Sequence, residues 1–201
     1  MNTVQSLRFY EAASDATAVI DWSNAFVCTM EEPWRLVEPL LKCPPGELYF
    51  VGSVTQEELD RVNVPPFCPF IVGSGGGSAV DAAKYLGWLS GLPVTALPTI
   101  ASVDAMVTSA VAVRVAGMVQ YIGNAAPEKV IICQELISAS PARLSRAGIA
   151  DVLSIHTANH DWRDVYKAGT GPYSNRIAYQ AEEVLGRVVN GAGEIRAVSP
   201  T

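Results

Sequence analysis

Residues 70–89 read FIVGSGGGSAVDAAKYLGWL, and this stretch decides the fold. The apolar run Phe70 to Val72 predicts a buried strand that stops at Gly73-Ser74-Gly75-Gly76-Gly77. Ser78 to Leu89 predicts a helix, with Asp81 in its first turn. Consecutive glycines between a strand and a helix let backbone approach a phosphate closely, and the helix amino terminus offers N–H groups and a favourable dipole. The register is not GxGxxG, and no Lys-Ser/Thr pair follows as a P-loop requires. A tight strand–helix turn without a ligand is the competing reading.

Working outward, Val94 to Leu97 predicts the next strand, followed by Pro98-Thr99-Ile100-Ala101-Ser102-Val103-Asp104. A loop in that position lies at the carboxyl end of a sheet, where open α/β sheets bind ligands. Thr99 and Ser102 can donate hydrogen bonds, and Asp104 can accept one from a substrate hydroxyl; the same residues also suit turn capping. Upstream, Thr17 to Ile20 reads as a strand, Pro33 to Leu41 as a helix and Glu47 to Gly52 as a strand. Thr55 opens a helix, with Glu58 completing a capping box. Downstream, Val107 to Ile122 reads as a hairpin broken at Ala116-Gly117, and Lys129 to Cys133 as another buried strand. Strands alternating with helices imply a parallel sheet.

Beyond residue 139 the pattern turns helical. Ser140-Pro141 is a helix start, Gly148 a stop, and Ile149 to about Ala168 a second helix. Gly169 to Pro172 is a loop, and Ile177, Ala181, Val184, Leu185 and Val188 then follow helical spacing as far as Gly191. Asp151, Ile155, Ala158, Trp162 and Val165 share one predicted helix face. A carboxylate on that apolar stripe calls for a metal, a cation or a donor cluster, unless it complements a helix amino terminus at an exposed edge. His156 and His160 stand one turn apart, a spacing that suits a metal but equally two ordinary surface or partly buried histidines. Ser199-Pro200 reads as one more helix start. The organisation is thus an α/β domain over 1–139 and the start of an all-helical domain over 140–201.

The 201 residues are 49% hydrophobic and 17% charged, which argues for a packed core and against disorder. A net charge of −6 argues against a nucleic-acid partner. Tyr85 to Val103 carries no charge, but Gly87, Gly91, Pro93 and Pro98 divide it into a helix end, a turn and a strand, so no membrane span is expected. Cys28, Cys43, Cys68 and Cys133 are scattered without a CxxC pair, as in a cytoplasmic protein with buried thiols. Charges at Arg8, Glu11 and Asp15 leave no room for a signal peptide.

GGGSAVDAAKYLG, ALPTIASVDA, the hairpin, and APEKVIICQELISASPARLSRAGIADVLS follow one another as in the superfamily of iron-containing alcohol dehydrogenases, glycerol dehydrogenases and dehydroquinate synthase-like proteins. The resemblance covers about residues 47–190. PTIASVDA is similar to glycerol dehydrogenases, and IADVLSIHTANHDW resembles the glycerol-1-phosphate dehydrogenase branch. The resemblance implies an NAD- or NADP-binding α/β domain, a helical domain, and a divalent metal, most often zinc, between them. By analogy Gly75, Gly76, Gly77, Ser78 and Asp81 would cradle the pyrophosphate, and Thr99, Ser102 and Thr108 would contact the nicotinamide half. Asp104 would orient the substrate hydroxyls, and Asp151 would be the first metal ligand and face the substrate. The implied reaction is hydride transfer between a secondary alcohol, a polyol or its phosphate, and nicotinamide.

The family's two further ligands are histidines well beyond the Asp151 motif. This sequence has no histidine after His160, so none is carried over. Asp21, after an apolar run, is the candidate for the adenine ribose. The expectation is therefore a dehydrogenase whose chain is incomplete. The alternatives are a non-catalytic dinucleotide-binding remnant, or a scaffold associating through apolar faces such as Ile177, Val184 and Leu185, with a homo-oligomer as one outcome.

Overall fold

The computed structural model describes residues 3–191. The chain divides between Ser140 and Pro141 into two compact units.

In the first unit, Ser6–Tyr10 forms β1 and Ala13–Ala18 forms α1. Ala25–Thr29 forms β2, Glu31–Val37 α2, Glu47–Phe50 β3 and Gln56–Leu59 α3. Phe70–Gly75 forms β4, Gly77–Ser90 α4 and Val94–Pro98 β5. Ala110–Val115 and Met118–Asn124 form β6 and β7, followed by β8 over Lys129–Cys133 and α5 over Gln134–Ser138. Six strands make one sheet in the order β1-β8-β5-β4-β2-β3, all pairs parallel. All the crossovers must then carry chain over a face of the sheet, and both faces are covered. On one side Ile71, Phe26 and Val94 pack with Leu59 of α3, Ala82, Tyr85 and Leu86 of α4, and Val111 and Val113 of β6. On the other, Val27, Val72, Leu97 and Ile131 pack with Ala13 and Ala16 of α1, Trp34 and Val37 of α2, and Leu136 of α5.

The antiparallel β6–β7 hairpin turns at Ala116 and Gly117, both at positive φ (50° and 80°). That is the geometry of a two-residue turn whose twist matches the strands. Its Gly123 lies against the Trp88 ring of α4, where a Cβ would come within 2.7 Å of the indole.

Two local readings in this unit need correction. Thr17 to Ile20 is not a strand: alanine-rich ASDATA makes α1, and Thr17 turns its Oγ1 back to the Ala13 carbonyl at 2.9 Å. The Ala13 N–H receives its acceptor from Glu135, 122 residues away, at 2.7 Å. Thr55 caps α3 by backbone position alone, and Glu58 turns from it to Ser53, accepting from the hydroxyl at 2.5 Å and the N–H at 3.2 Å. Strand β1 and helix α5 lack the patterning that would reveal them, whereas β2 is a continuous apolar run, AFVCT, buried at every position. Of the cysteines, Cys28, Cys68 and Cys133 are buried and Cys43 is exposed; all four are free thiols.

The second unit contains α6 (Ala142–Leu153), α7 (Ile155–Lys167) and α8 (Asn175–Asn190). Gly148 does not stop α6, which continues to Leu153; the break falls at Ser154, whose Oγ donates to the Asp151 carbonyl at 2.7 Å. Ser174 caps α8 by accepting from the Ile177 N–H at 3.4 Å. The helix start read at Ser199-Pro200 lies outside the described residues. Among the described residues no helix is long and apolar enough to cross a membrane.

Candidate active site

Strand β4 runs through the glycines as far as Gly75, further than its apolar residues suggest, and pairs Gly75 with Pro98 at the end of β5. The Thr99 N–H then donates to the Gly75 carbonyl at 3.0 Å. The two loops therefore leave the sheet side by side at its carboxyl edge. Gly75 has φ +146°, a region open to glycine and not to side chains. A Cβ on Gly76 would lie 3.1 Å from Ile100 Cγ2, and one on Gly77 2.7 Å from Val103 Cγ2. Those glycines let the two loops touch.

Helix α4 begins at Gly77, with Gly76 as its cap and no side chain bonded to the first turn. No acidic residue stands in that turn. Its leading N–H groups and positive dipole end are thus presented without a competing carboxylate, the arrangement that receives an anion. Asp81 lies one residue beyond the first turn, contrary to the sequence reading, because the helix starts at Gly77. It reaches Lys84 Nζ at 3.4 Å.

Lys84 is the residue that sequence reasoning missed. Its side chain is fully buried, and besides Asp81 it donates to the Ala105 carbonyl at 3.1 Å and to Thr108 Oγ1 at 3.5 Å. The signal was present in DAAK: apart from Asp81 it is the one charged residue of a 14-residue helix. Burial pushes the Asp81 carboxyl above its ordinary value, opposed by Lys84 and reinforced by the charge of Asp104. Burial likewise pushes the Lys84 ammonium down, opposed first by Asp81 and also by Asp104.

Of the other candidates, Ser78 and Asp104 are exposed, Ser102 and Thr108 half-buried, and Thr99 buried. Gly75, Gly76, Gly77, Ser78, Thr99 and Ser102 sit on the two touching loops. Asp81, Asp104 and Thr108 join them through Lys84 and through the turn in which the Thr108 N–H donates to the Asp104 carbonyl at 3.2 Å. Asp21 is not with them. It precedes β2 at the amino end of that strand, where its carboxylate takes hydrogen bonds from Ser23 and Asn24, both 2.7 Å. The carboxylates at the carboxyl end of β2 are Glu31 and Glu32, in the first turn of α2. They went unnoticed because β2 did. A groove of about 550 Å3 lined by Thr3, Val4, Gln5, Leu7, Val107 and Ser109 includes none of these candidate residues.

In the second unit Asp151 is exposed on α6, a helix without a buried residue, so the expectation of a buried carboxylate does not hold. Asp151 and Ile155 also fall on opposite sides of the Ser154 break. His156 and His160 are both exposed, with ring centroids 4.9 Å apart. Among the described residues no group of three or more His, Cys, Asp and Glu side chains could hold a metal ion, so they do not by themselves fit a zinc site, which takes at least three protein ligands.

A parallel sheet wrapped on both faces, with a glycine loop and an uncapped helix start at its carboxyl edge, defines a dinucleotide-binding α/β unit. Residues 53–141 match the family model described as iron-containing alcohol dehydrogenase. Over that span the chain is similar to this family. It is 32% identical over 142 residues to the glycerol-1-phosphate dehydrogenase [NAD(P)+] of Methanothrix thermoacetophila, covering 69% of this chain and 40% of that one. With the Thermoplasma volcanium enzyme of the same name it shares 28% over 173 residues, 84% of this chain and 49% of that one. The chain therefore spans less than half the length of these relatives.

A probable glycerol dehydrogenase from Sinorhizobium meliloti superposes with a TM-score of 0.75 at 20% identity, over 100% of this chain and 61% of that one. The glycerol dehydrogenase of Schizosaccharomyces pombe gives 0.62 at 26% identity, over 77% and 43%.

Proposed function

We propose that this chain supplies the NAD(P)-binding part, residues 1–139, and the opening helices, residues 140–201, of a dehydrogenase. Its substrate would be a secondary alcohol of the polyol or glycerol-phosphate type. One observation carries the reading: the glycine loop and the Thr99–Asp104 loop touch at the carboxyl edge of the sheet, beside the uncapped start of α4. The relatives named for NAD(P)-dependent oxidation of glycerol 1-phosphate support the cofactor and substrate class.

In this reading the N–H groups of Gly76, Gly77 and Ser78 receive the pyrophosphate, with Gly75 providing the turn. Thr99, Ser102 and Thr108 orient the nicotinamide half. Glu31 and Glu32 replace Asp21 as acceptors for the ribose hydroxyls. Asp104 accepts a hydrogen bond from a substrate hydroxyl, fixing the carbinol carbon towards the nicotinamide ring. A bound NAD(P) would supply the acceptor for the hydride of that carbon, and the hydroxyl proton, held in the hydrogen bond to Asp104, would pass to solvent as the carbonyl forms. Asp151 remains the candidate ligand for a divalent metal such as zinc, and the described residues alone do not complete a site around it. The free thiols and the absence of a membrane-crossing helix among the described residues suit a cytoplasmic protein.

Among the described residues no three side chains form a metal-ligand cluster, and beside that observation stands a second reading, dinucleotide binding without turnover. Two measurements separate these. Melting temperature should rise with NADH or NADPH concentration; no rise at millimolar cofactor defeats both readings. Stoichiometric zinc together with alcohol-dependent reduction of NAD(P) would eliminate the second, and cofactor binding without either would eliminate catalysis by this chain.

A further inference from the structure

The buried Lys84 is unexplained by the cofactor roles above. A fully buried ammonium costs far more to place than a methionine of the same length, which the surrounding apolar face of α4 would accept. The three oxygens around it belong to two different segments. Asp81 is on α4 itself, whereas the Ala105 carbonyl and Thr108 Oγ1 belong to the turn that follows the Thr99–Asp104 loop. Within that turn, the Val107 and Thr108 N–H groups donate to the Asp104 carbonyl at 2.9 and 3.2 Å. Those bonds shape the turn without tying it to α4; the tie is made by Lys84, beside the apolar packing of Ala105 in one cluster with Val80. Asp81, half-buried and carboxylate-bearing, is badly suited to cradle a pyrophosphate and well suited to hold an ammonium.

We propose that Lys84 is a positioning residue: its ammonium, anchored by Asp81, locks the Asp104–Thr108 turn onto the helix that starts at the glycine loop. The two loops of the candidate site, its two walls, then move as one piece. Asp81 serves the lock and not the phosphate. The consequence for cofactor rests on the dinucleotide reading; the lock itself does not.

Amide hydrogen exchange on the ligand-free full chain tests the lock, comparing wild type, Lys84→Met, and Leu86→Val as a control for general loosening of the same helix. Lys84→Met should speed exchange at Val107 and Thr108 about tenfold or more relative to the α4 amides. Leu86→Val should leave that ratio near its wild-type value. Equal ratios in the two variants, or an unchanged ratio in Lys84→Met, overturn the proposal. Should Lys84→Met not fold, Thr108→Val removes one of the three acceptors; it should speed the Val107 amide about threefold, and no change overturns the proposal equally.

Titration with NADH adds the cofactor arm. Lys84→Met should raise the dissociation constant about tenfold. Wild-type affinity in a variant whose turn has loosened refutes the coupling of the two walls. A wild-type chain that binds no NADH refutes the dinucleotide reading and leaves the exchange result to decide the lock.

Discussion

Two glycines of the same run, one inside β4 and one opening α4, do different work, and substitution separates them. A Cβ on Gly73 would lie 3.0 Å from both Ala83 Cβ and the Val80 backbone, and 3.2 Å from the Ala79 carbonyl. None of these can swing aside, so Gly73→Ala should cost about 1–3 kcal/mol of stability through overpacking, whatever ligand is bound. At Gly77 the obstacle is the half-exposed Val103 side chain, which can move. Gly77→Ala should therefore fold with a smaller loss but displace the neighbouring loop, weakening NADH binding about tenfold. Urea unfolding and fluorescence titration of both variants check the contrast. The sequence displayed the glycine run plainly, together with Thr99, Ser102 and Asp104. It could not distinguish a glycine needed for packing from one needed for a ligand, because that depends on Val103 and Ala83 arriving from elsewhere in the chain. Lys84 was visible as a letter, but its burial is a property of the whole unit.

Among the elements, those with their own local signal were legible. Strand β8 and the hairpin, with its break at Ala116-Gly117, follow directly from patterning. Ala116 nonetheless pays for its left-handed backbone, φ 50°, which asparagine tolerates better. Ala116→Asn should thus stabilise the first unit by about 0.5–1 kcal/mol, measured by thermal unfolding.

The capping box at Thr55 failed because Glu58 found better donors in Ser53 and in Tyr49 Oη, at 3.0 Å. The hydrogen bond from Ser53 is the chief cause that holds the Glu58 carboxyl below its ordinary value. A carboxylate depressed in the folded state stabilises above its unfolded value and loses that contribution as pH falls through the folded one. Glu58→Gln should therefore destabilise at pH 7, and the difference from wild type should shrink towards about pH 3, below the reference value. Denaturant unfolding at the two pH values measures it. Helix α1 was illegible for another reason, and β2, whose apolar run is plain, owes only its place in the sheet to the rest of the chain. The acceptor for the Ala13 N–H is Glu135, and the central position of β2 is set by its neighbours β3 and β4.

At the scale of the molecule, the first unit covers both faces of its sheet while the second leaves much of its apolar surface open. Leu144, Leu153, Val165, Ile177, Val184 and Val189 are all exposed on α6, α7 and α8. Apolar surface of that extent favours association. The 201-residue chain should self-associate at micromolar concentration, and Ile177→Lys with Val184→Glu should shift it towards monomer in light scattering. A wild-type monomer would contradict this.

The strand order also has a consequence in time. Strand β1, made first, lies between solvent and β8, the last strand of the sheet, with Ser6 paired to Lys129 and Tyr10 to Cys133. On a ribosome adding about 5–20 residues per second, this strand waits roughly ten seconds for β8, its partner among the described residues. The inner strands β2, β4 and β5 can assemble in that interval, so the edge at β1 is the last seam to close. Chains released before Cys133 has emerged would carry the backbone N–H and C=O groups of Ser6–Tyr10 unpaired, available to whatever strand they meet.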